Sequence, residues 1–260
     1  MPYWERRIYC GPMLEVKRYC GTRGGRPLGA KKTDAESKSR EDLNDVQSWR
    51  KLWRMLACNF SKGNGDLCLT LKFARWVSRE EAHKEYERFL KQLRYQRKKR
   101  KLEELKYIIV KEVQSGRQHA HIVLNGGISL EELTEMWGMG NVWASVLEDT
   151  SSYKELASYL TRQHKSRRGS ESGENVKDPR AKGQRRWTCS RNLKKPETKK
   201  RLCRPVTMNT MPRAPKGYRL LPDFRRDVDV FGNLWIEWMC VREEETTQKK
   251  QGKKGKERCA

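Results

Sequence analysis

Long apolar runs are missing from this chain: none approaches the ~20 residues that a bilayer-spanning helix needs. The sequence also lacks the basic, apolar and small-residue succession of a secretory signal. A soluble protein of the cytoplasm is therefore expected, with no membrane partner. Cysteine occurs at positions 10, 20, 58, 68, 189, 203, 240 and 259, but no Cys-x-x-Cys pair is among them, which excludes a zinc knuckle. In a reducing compartment these thiols stay free and pack as small apolar residues. There is no Gly-x-x-x-x-Gly-Lys-Ser/Thr loop to cradle a nucleotide's phosphates, so an ATP-driven motor is not expected in the chain itself. Large apolar residues are scarce too. With 35% hydrophobic residues and a mean hydropathy of -1.00, the core must be concentrated in the periodic segments. Negative charge is in the shortest supply: 33 Asp and Glu face 58 Lys and Arg, a formal charge of +25 and a pI near 9.9. That balance is a footprint for a polyanion. Nucleic acid is the expected partner, and an anionic membrane surface is the rival.

The periodic segments divide the chain. At 260 residues it holds one domain with extensions, or one domain and a small second one. Residues 1–40 read as an exposed hairpin around Gly11-Pro12 followed by a basic connector. Residues 41–164 form the core. Leu43, Val46, Trp49, Leu52, Trp53 and Leu56 describe an amphipathic helix, whose Arg50, Lys51 and Arg54 face either DNA or solvent. Leu67, Leu69 and Leu71 alternate with Cys68, Thr70 and Lys72 in a strand. Ser78 opens a helix running to Lys101, which ends with six basic residues in the eight from Arg94. Ser129 with Glu131-Glu132 opens another, ending near Trp137-Gly138. Asn141 to Leu147 is a strand, and Ser151-Ser152 precedes a helix from Tyr153 to His164. Residues 165–216 read as a basic, loop-rich segment that contacts DNA, since Lys165 to Arg204 holds 15 basic against 4 acidic residues. Trp187 within it offers either base stacking or core packing. Residues 217–242 form a terminal hairpin turning at Gly232-Asn233, and 243–260 a disordered tail. Strands and helices alternate without a right-handed parallel repeat. The expected class is α+β: a central antiparallel sheet with helices on its faces.

The chemistry is concentrated in Glu112 to Leu124. His119 and His121, one residue apart in a run ending Ile-Val-Leu, point to the same face of a strand. Tyr107 to Val110 reads as the preceding strand, with the turn at Gln114 to Arg117, so the hairpin returns Glu112 beside the histidines. Two imidazoles and a carboxylate with open coordination positions suit a divalent cation, Mg²⁺ or Mn²⁺, that also holds a substrate oxygen.

The order of motifs resembles the HUH endonucleases, the rolling-circle replication initiators of plasmids and small single-stranded DNA phages. It comprises the strand Leu67 to Phe73, Glu112, His119-Ala120-His121, then a helix carrying Tyr153 and Tyr159-Leu160-Thr161-Arg162. Asn59-Phe60, Trp137-Gly138-Met139-Gly140 and Ser190-Arg191-Asn192-Leu193-Lys194-Lys195-Pro196 are similar to the phage-type replication proteins in particular. Relaxases place their tyrosine before the histidines, which disfavours a mobilisation role.

The resemblance implies metal at Glu112, His119 and His121. It also implies a tyrosine that attacks a DNA phosphate, remains attached to the 5′ end and frees a 3′-hydroxyl for priming. Tyr159 is the expected nucleophile, with Arg162, where the family usually has Lys, steadying the phosphate or phenolate. Tyr153 stands six residues earlier, ~600° of helix rotation away, so only one of the two reaches the metal easily. Thr70 and Lys72 are expected near the DNA backbone, as are Arg185, Arg186 and Arg191. Single-stranded DNA at a replication origin, and a host helicase and polymerase in a bacterial cytoplasm, are the implied partners. Two other functions fit the same residues: a non-catalytic basic DNA-binding protein, and a metal nuclease that activates water.

Overall fold

The structure is a computed structural model that describes residues 1–21, 34–114, 117–147, 153–162, 185, 187–229 and 231–243. Among the described residues it is an α+β fold of two five-stranded antiparallel sheets and four helices. In chain order these are β1 (Tyr3–Cys10), β2 (Met13–Cys20), α1 (Asp34–Asn59), β3 (Leu67–Lys72), α2 (Arg79–Lys99), β4 (Tyr107–Gln114) and β5 (Arg117–Leu124). They continue with α3 (Leu130–Trp137), β6 (Val142–Val146), α4 (Tyr153–Arg162), β7 (Trp187–Cys189), β8 (Glu197–Cys203), β9 (Tyr218–Val228) and β10 (Leu234–Arg242). The first sheet runs β6-β3-β5-β4-β7 and carries the histidines; the second runs β8-β1-β2-β10-β9.

Period-two alternation gives each face of the first sheet its own core. Leu69, Leu71, Ile109, Ala120, Ile122 and Leu124 point one way, onto Tyr86, Phe89 and Leu93 of α2 and Leu133 and Trp137 of α3. The opposite face sends Cys68, Ile108, Val110 and Val123 against α1 and α4, which also cover Ile8, Cys10, Met13 and Met239 of the second sheet. The helix pair α1/α4 is therefore sandwiched between two sheets. A third cluster, with Leu14, Val16, Ile236 and Trp238, lies on the far side of the second sheet under Val206.

Local chemistry sets the helix ends. Ser78 Oγ accepts from the Glu81 amide, and Ser129 with Glu132 makes a reciprocal capping box. Past α3, Gly138 adopts the left-handed conformation, and at Gly140 a Cβ would stand 2.5 Å from Lys72 O and Ala74 N, so only glycine lets these backbones approach. Trp137 Nε1 donates to Lys72 O at 3.0 Å. The Trp-Gly-Met-Gly run thus locks the end of α3 onto the end of β3.

Several expectations are revised by long-range contacts. The N-terminal hairpin forms, but β2 lies in the middle of a sheet, paired with β10, and is not exposed. The central antiparallel sheet carrying the histidines is present as expected; a second sheet is assembled from the two hairpins and β8, and β8 falls inside the stretch read as loop. Its exposed, charged Glu-Thr-Lys-Lys-Arg has no apolar alternation to announce it, because it is an edge strand. Helix α1 begins at Asp34, within the residues read as connector. Arg54 pairs with the buried Glu15 at 2.6 Å, and Arg50 lies 3.6 Å from Glu237, so both tie α1 to the second sheet and do not face DNA. Of the basic cluster ending α2, Arg97 is buried on the carbonyls of Glu103, Asn125 and Gly126, Arg94 donates to Tyr107, and Arg100 pairs with Glu132. Trp187 packs in the core, its Nε1 donating to Ser48. The seven described cysteines are free. No helix among the described residues is long and apolar enough to cross a membrane.

Candidate metal centre

Antiparallel register builds the centre. Glu112 of β4 stands directly opposite His119 of β5, and His121 stands between Val110 of β4 and Thr70 of β3. All three candidate ligands are buried, and their ligand atoms lie within 4.8 Å of one another. Nε2 of His119 is 3.1 Å and Nε2 of His121 3.7 Å from the same oxygen, Glu112 Oε2. The imidazole rings meet edge to face at 5.3 Å between centroids. The pair expected to share a face does so, with the carboxylate returned beside it by the hairpin.

The electrostatics fit a cation. Glu112 Oε1 and His121 Nε2 are buried without a hydrogen-bond partner. A buried carboxylate oxygen left without a hydrogen-bond donor is costly, a penalty that a bound positive ion offsets. Burial pushes the His121 pKa down, against the pull of Glu112, and His119 and Lys72 push it further. The ring is thus held neutral, as a metal ligand must be. Thr70 Oγ1 lies 3.0 Å from His121 Nδ1. If His121 binds through Nε2, its proton sits on Nδ1 and is donated to Thr70, the outer partner that orients a ligating imidazole. Three protein ligands leave coordination positions for substrate.

Helix α4 brings one tyrosine to the centre and buries the other. The Tyr159 ring stands 5.5 Å from the His121 ring, centroid to centroid, inclined at 69°, and is 54% exposed. Tyr153 is 1% exposed, and its hydroxyl donates to Phe60 O at 2.9 Å. Lys72 is exposed on the same face as Thr70, opposite His119 in register. Arg162 is the last residue of α4. Arg185 is exposed just before β7, and Arg191 is exposed in the turn after it, whereas Arg186 lies outside the described residues. Lys165 to Gln184 also lies outside them.

Two motifs turn out to hold backbone. Asn59 accepts from the Lys194 amide and donates to Lys194 O, while Ser190 accepts from the Tyr107 amide and Asn192 donates to Leu105 O. Together they fasten the Ser-Arg-Asn-Leu-Lys-Lys-Pro run to α1 and to the strand bearing Glu112. Alternation places Thr70 on the histidine face, but its contact with His121 follows only from the β3–β5 register. Trp143 was read only as part of a strand; it is 47% exposed, on the histidine face.

The fold and centre define an α+β protein whose antiparallel sheet presents a buried Glu-His-His group able to hold a metal ion. Residues 66–164 match the family model of the replication-associated protein ORF2/G2P, which is consistent with a Rep-type replication initiator. The match spans β3 to α4, all the elements that build the centre, and less than half of the chain. No curated protein and no solved structure matches significantly.

Proposed function

We propose that this chain initiates rolling-circle DNA replication by nicking and rejoining single-stranded DNA at a specific sequence, through a 5′-phosphotyrosine on Tyr159. One observation carries the reading: an exposed tyrosine ring packed edge to face on His121 of a buried Glu-His-His group whose Glu112 Oε1 and His121 Nε2 have no hydrogen-bond partner. The family match over the same residues supports it.

Glu112, His119 and His121 would hold a divalent cation, Mg²⁺ or Mn²⁺, whose chemistry when bound is to draw charge from the scissile phosphate. The chain's own residues do the rest. The Tyr159 hydroxyl gives up its proton to solvent as its oxygen bonds to phosphorus, and the 3′-oxygen departs with the electrons of the broken P–O bond and takes up a proton from solvent to become the 3′-hydroxyl. Arg162 and Lys72 supply positive charge to the phosphate oxygens. Because the phosphotyrosine retains the bond energy, a later attack by a 3′-hydroxyl rejoins the strand. Arg185, Arg186 and Arg191 grip the backbone further along, and unwinding and synthesis come from a host helicase and polymerase. The work belongs in the cytoplasm of a bacterial host.

The test is incubation of the purified chain with single-stranded DNA bearing a candidate origin and Mg²⁺ or Mn²⁺, resolved on a denaturing gel. A covalent protein–DNA adduct is expected. Nicking without adduct would assign the attack to water, and binding with neither would leave a non-catalytic DNA-binding protein.

A further inference from the structure

One row of residues crosses the first sheet through the candidate centre. Thr70 pairs with His121 on one side and with Trp143 of β6 on the other. The Thr70 hydroxyl meets His121 Nδ1, so directly paired Trp143 stands on the histidine face. Among the described residues strand β6 is the edge of the sheet, and none of them pairs beyond Trp143. Its indole is 47% exposed, and Lys72 Nζ lies over the ring at 4.6 Å from the centroid. Two strand spacings separate Trp143 from His121, roughly 10 Å, a distance spanned by a nucleotide adjoining a phosphate at the centre.

We infer that Trp143 is a stacking platform for one unpaired base of single-stranded DNA beside the scissile phosphate, with Lys72 contacting the flanking phosphate. The inference rests on single-stranded DNA being the substrate of this face. Ring and ammonium together match the two invariant parts of a nucleotide, a flat π surface and an anion. Stacking of this kind tolerates any base, so Trp143 selects unpaired over paired DNA and leaves sequence choice to other contacts. A paired base keeps both faces within its own stack and cannot use the platform.

The experiment is done on the full chain in EDTA, so that cleavage plays no part. The probe is a short oligothymidylate carrying one 2-aminopurine, whose emission falls when it stacks on an aromatic ring. Wild type should quench it. Trp143→Ala should abolish the quenching and weaken single-strand binding by between about fivefold and about 150-fold, with duplex binding unchanged. Trp143→Phe should retain most of both. Trp143→Leu, which fills the volume without a π face, should behave like the alanine variant and serves in its place if that variant does not fold. Trp76→Ala, at another exposed tryptophan, is the control and should change nothing. Unaltered quenching and affinity in Trp143→Ala and Trp143→Leu would overturn the inference, as would an equal loss in Trp76→Ala. Because the assay needs no nicking, a platform without adduct formation would sink the phosphotyrosine reading alone, and adduct formation with an inert Trp143 would sink this one alone.

Discussion

At the scale of single residues, the centre is defined by which polar atoms lack partners. Removing either imidazole leaves an incomplete ligand set, so His119→Ala and His121→Ala should abolish adduct formation while single-strand binding in a filter assay stays within about twofold, as the basic surface supplies most affinity. Glu112→Ala should be milder, because water replaces a carboxylate more easily than it rebuilds a histidine pair. Excess EDTA should have the effect of the histidine variants on the wild type. Tyr159→Phe deletes only the attacking oxygen and should eliminate the adduct with binding retained. Tyr153→Phe is the internal control: it loses the hydrogen bond to Phe60 O, about 1 kcal/mol of stability, and should still form adduct. An adduct that vanishes in Tyr153→Phe and persists in Tyr159→Phe would reverse the assignment. Thr70→Val removes the orienting partner of His121 and should weaken Mn²⁺ affinity by about ten- to a hundredfold in calorimetry.

Elements act by delivering those residues in register. Pairing with β5 presents Thr70 to His121, and the end of β3 is clamped by Trp137 and by the close approach at Gly140. Helix α4 is held by Tyr153 at its start and by Lys154 O accepting from Trp49, which leaves Tyr159 turned toward the centre. Arg97 does comparable work at the end of α2, where burial in part opposes its charge but three carbonyls accept its N–H groups. Arg97→Met keeps the stem and leaves those carbonyls unsatisfied, so urea unfolding should show a loss of about 3 kcal/mol. Adduct formation under native conditions should change little, since α2 packs on the face opposite the histidines. A loss below about 0.5 kcal/mol would mean that water replaces the guanidinium there.

For the whole molecule, the excess of positive charge is the governing quantity, though some basic residues are engaged within the fold. Arg50, Arg54, Arg97 and Arg100 are engaged with protein groups, which reduces the surface left for phosphate. Arg185, Arg186 and Arg191 remain the proposed grip. Each phosphate contact steepens log K against log salt by ~0.7 for a single strand. Replacing all three arginines with Ala should therefore flatten the slope by about 2, measured by fluorescence anisotropy across a salt series. An unchanged slope would place the grip elsewhere on the protein.

What the sequence determined by itself is the part governed by short range. Alternation in Leu67 to Phe73 and Glu112 to Leu124 named the strands and their faces, Ser78 and Ser129 named the starts of α2 and α3, and one hairpin was enough to return Glu112 to His119. The Glu-His-His group that could hold a metal ion was legible because all three members sit on one hairpin. The choice between the tyrosines was only half legible: helix rotation separated Tyr153 from Tyr159, but the packing of α4 against α1 and Phe60 decided which was buried. The second sheet belongs wholly to tertiary structure. It joins β1 and β2 to β8, β9 and β10 from the other end of the chain, and the pairing partner of a strand is set by backbone hydrogen bonds that any sequence can make. The same holds for Trp143, which local pattern marks as one more strand residue and which only the β6–β3–β5 register sets in one row with Thr70 and His121.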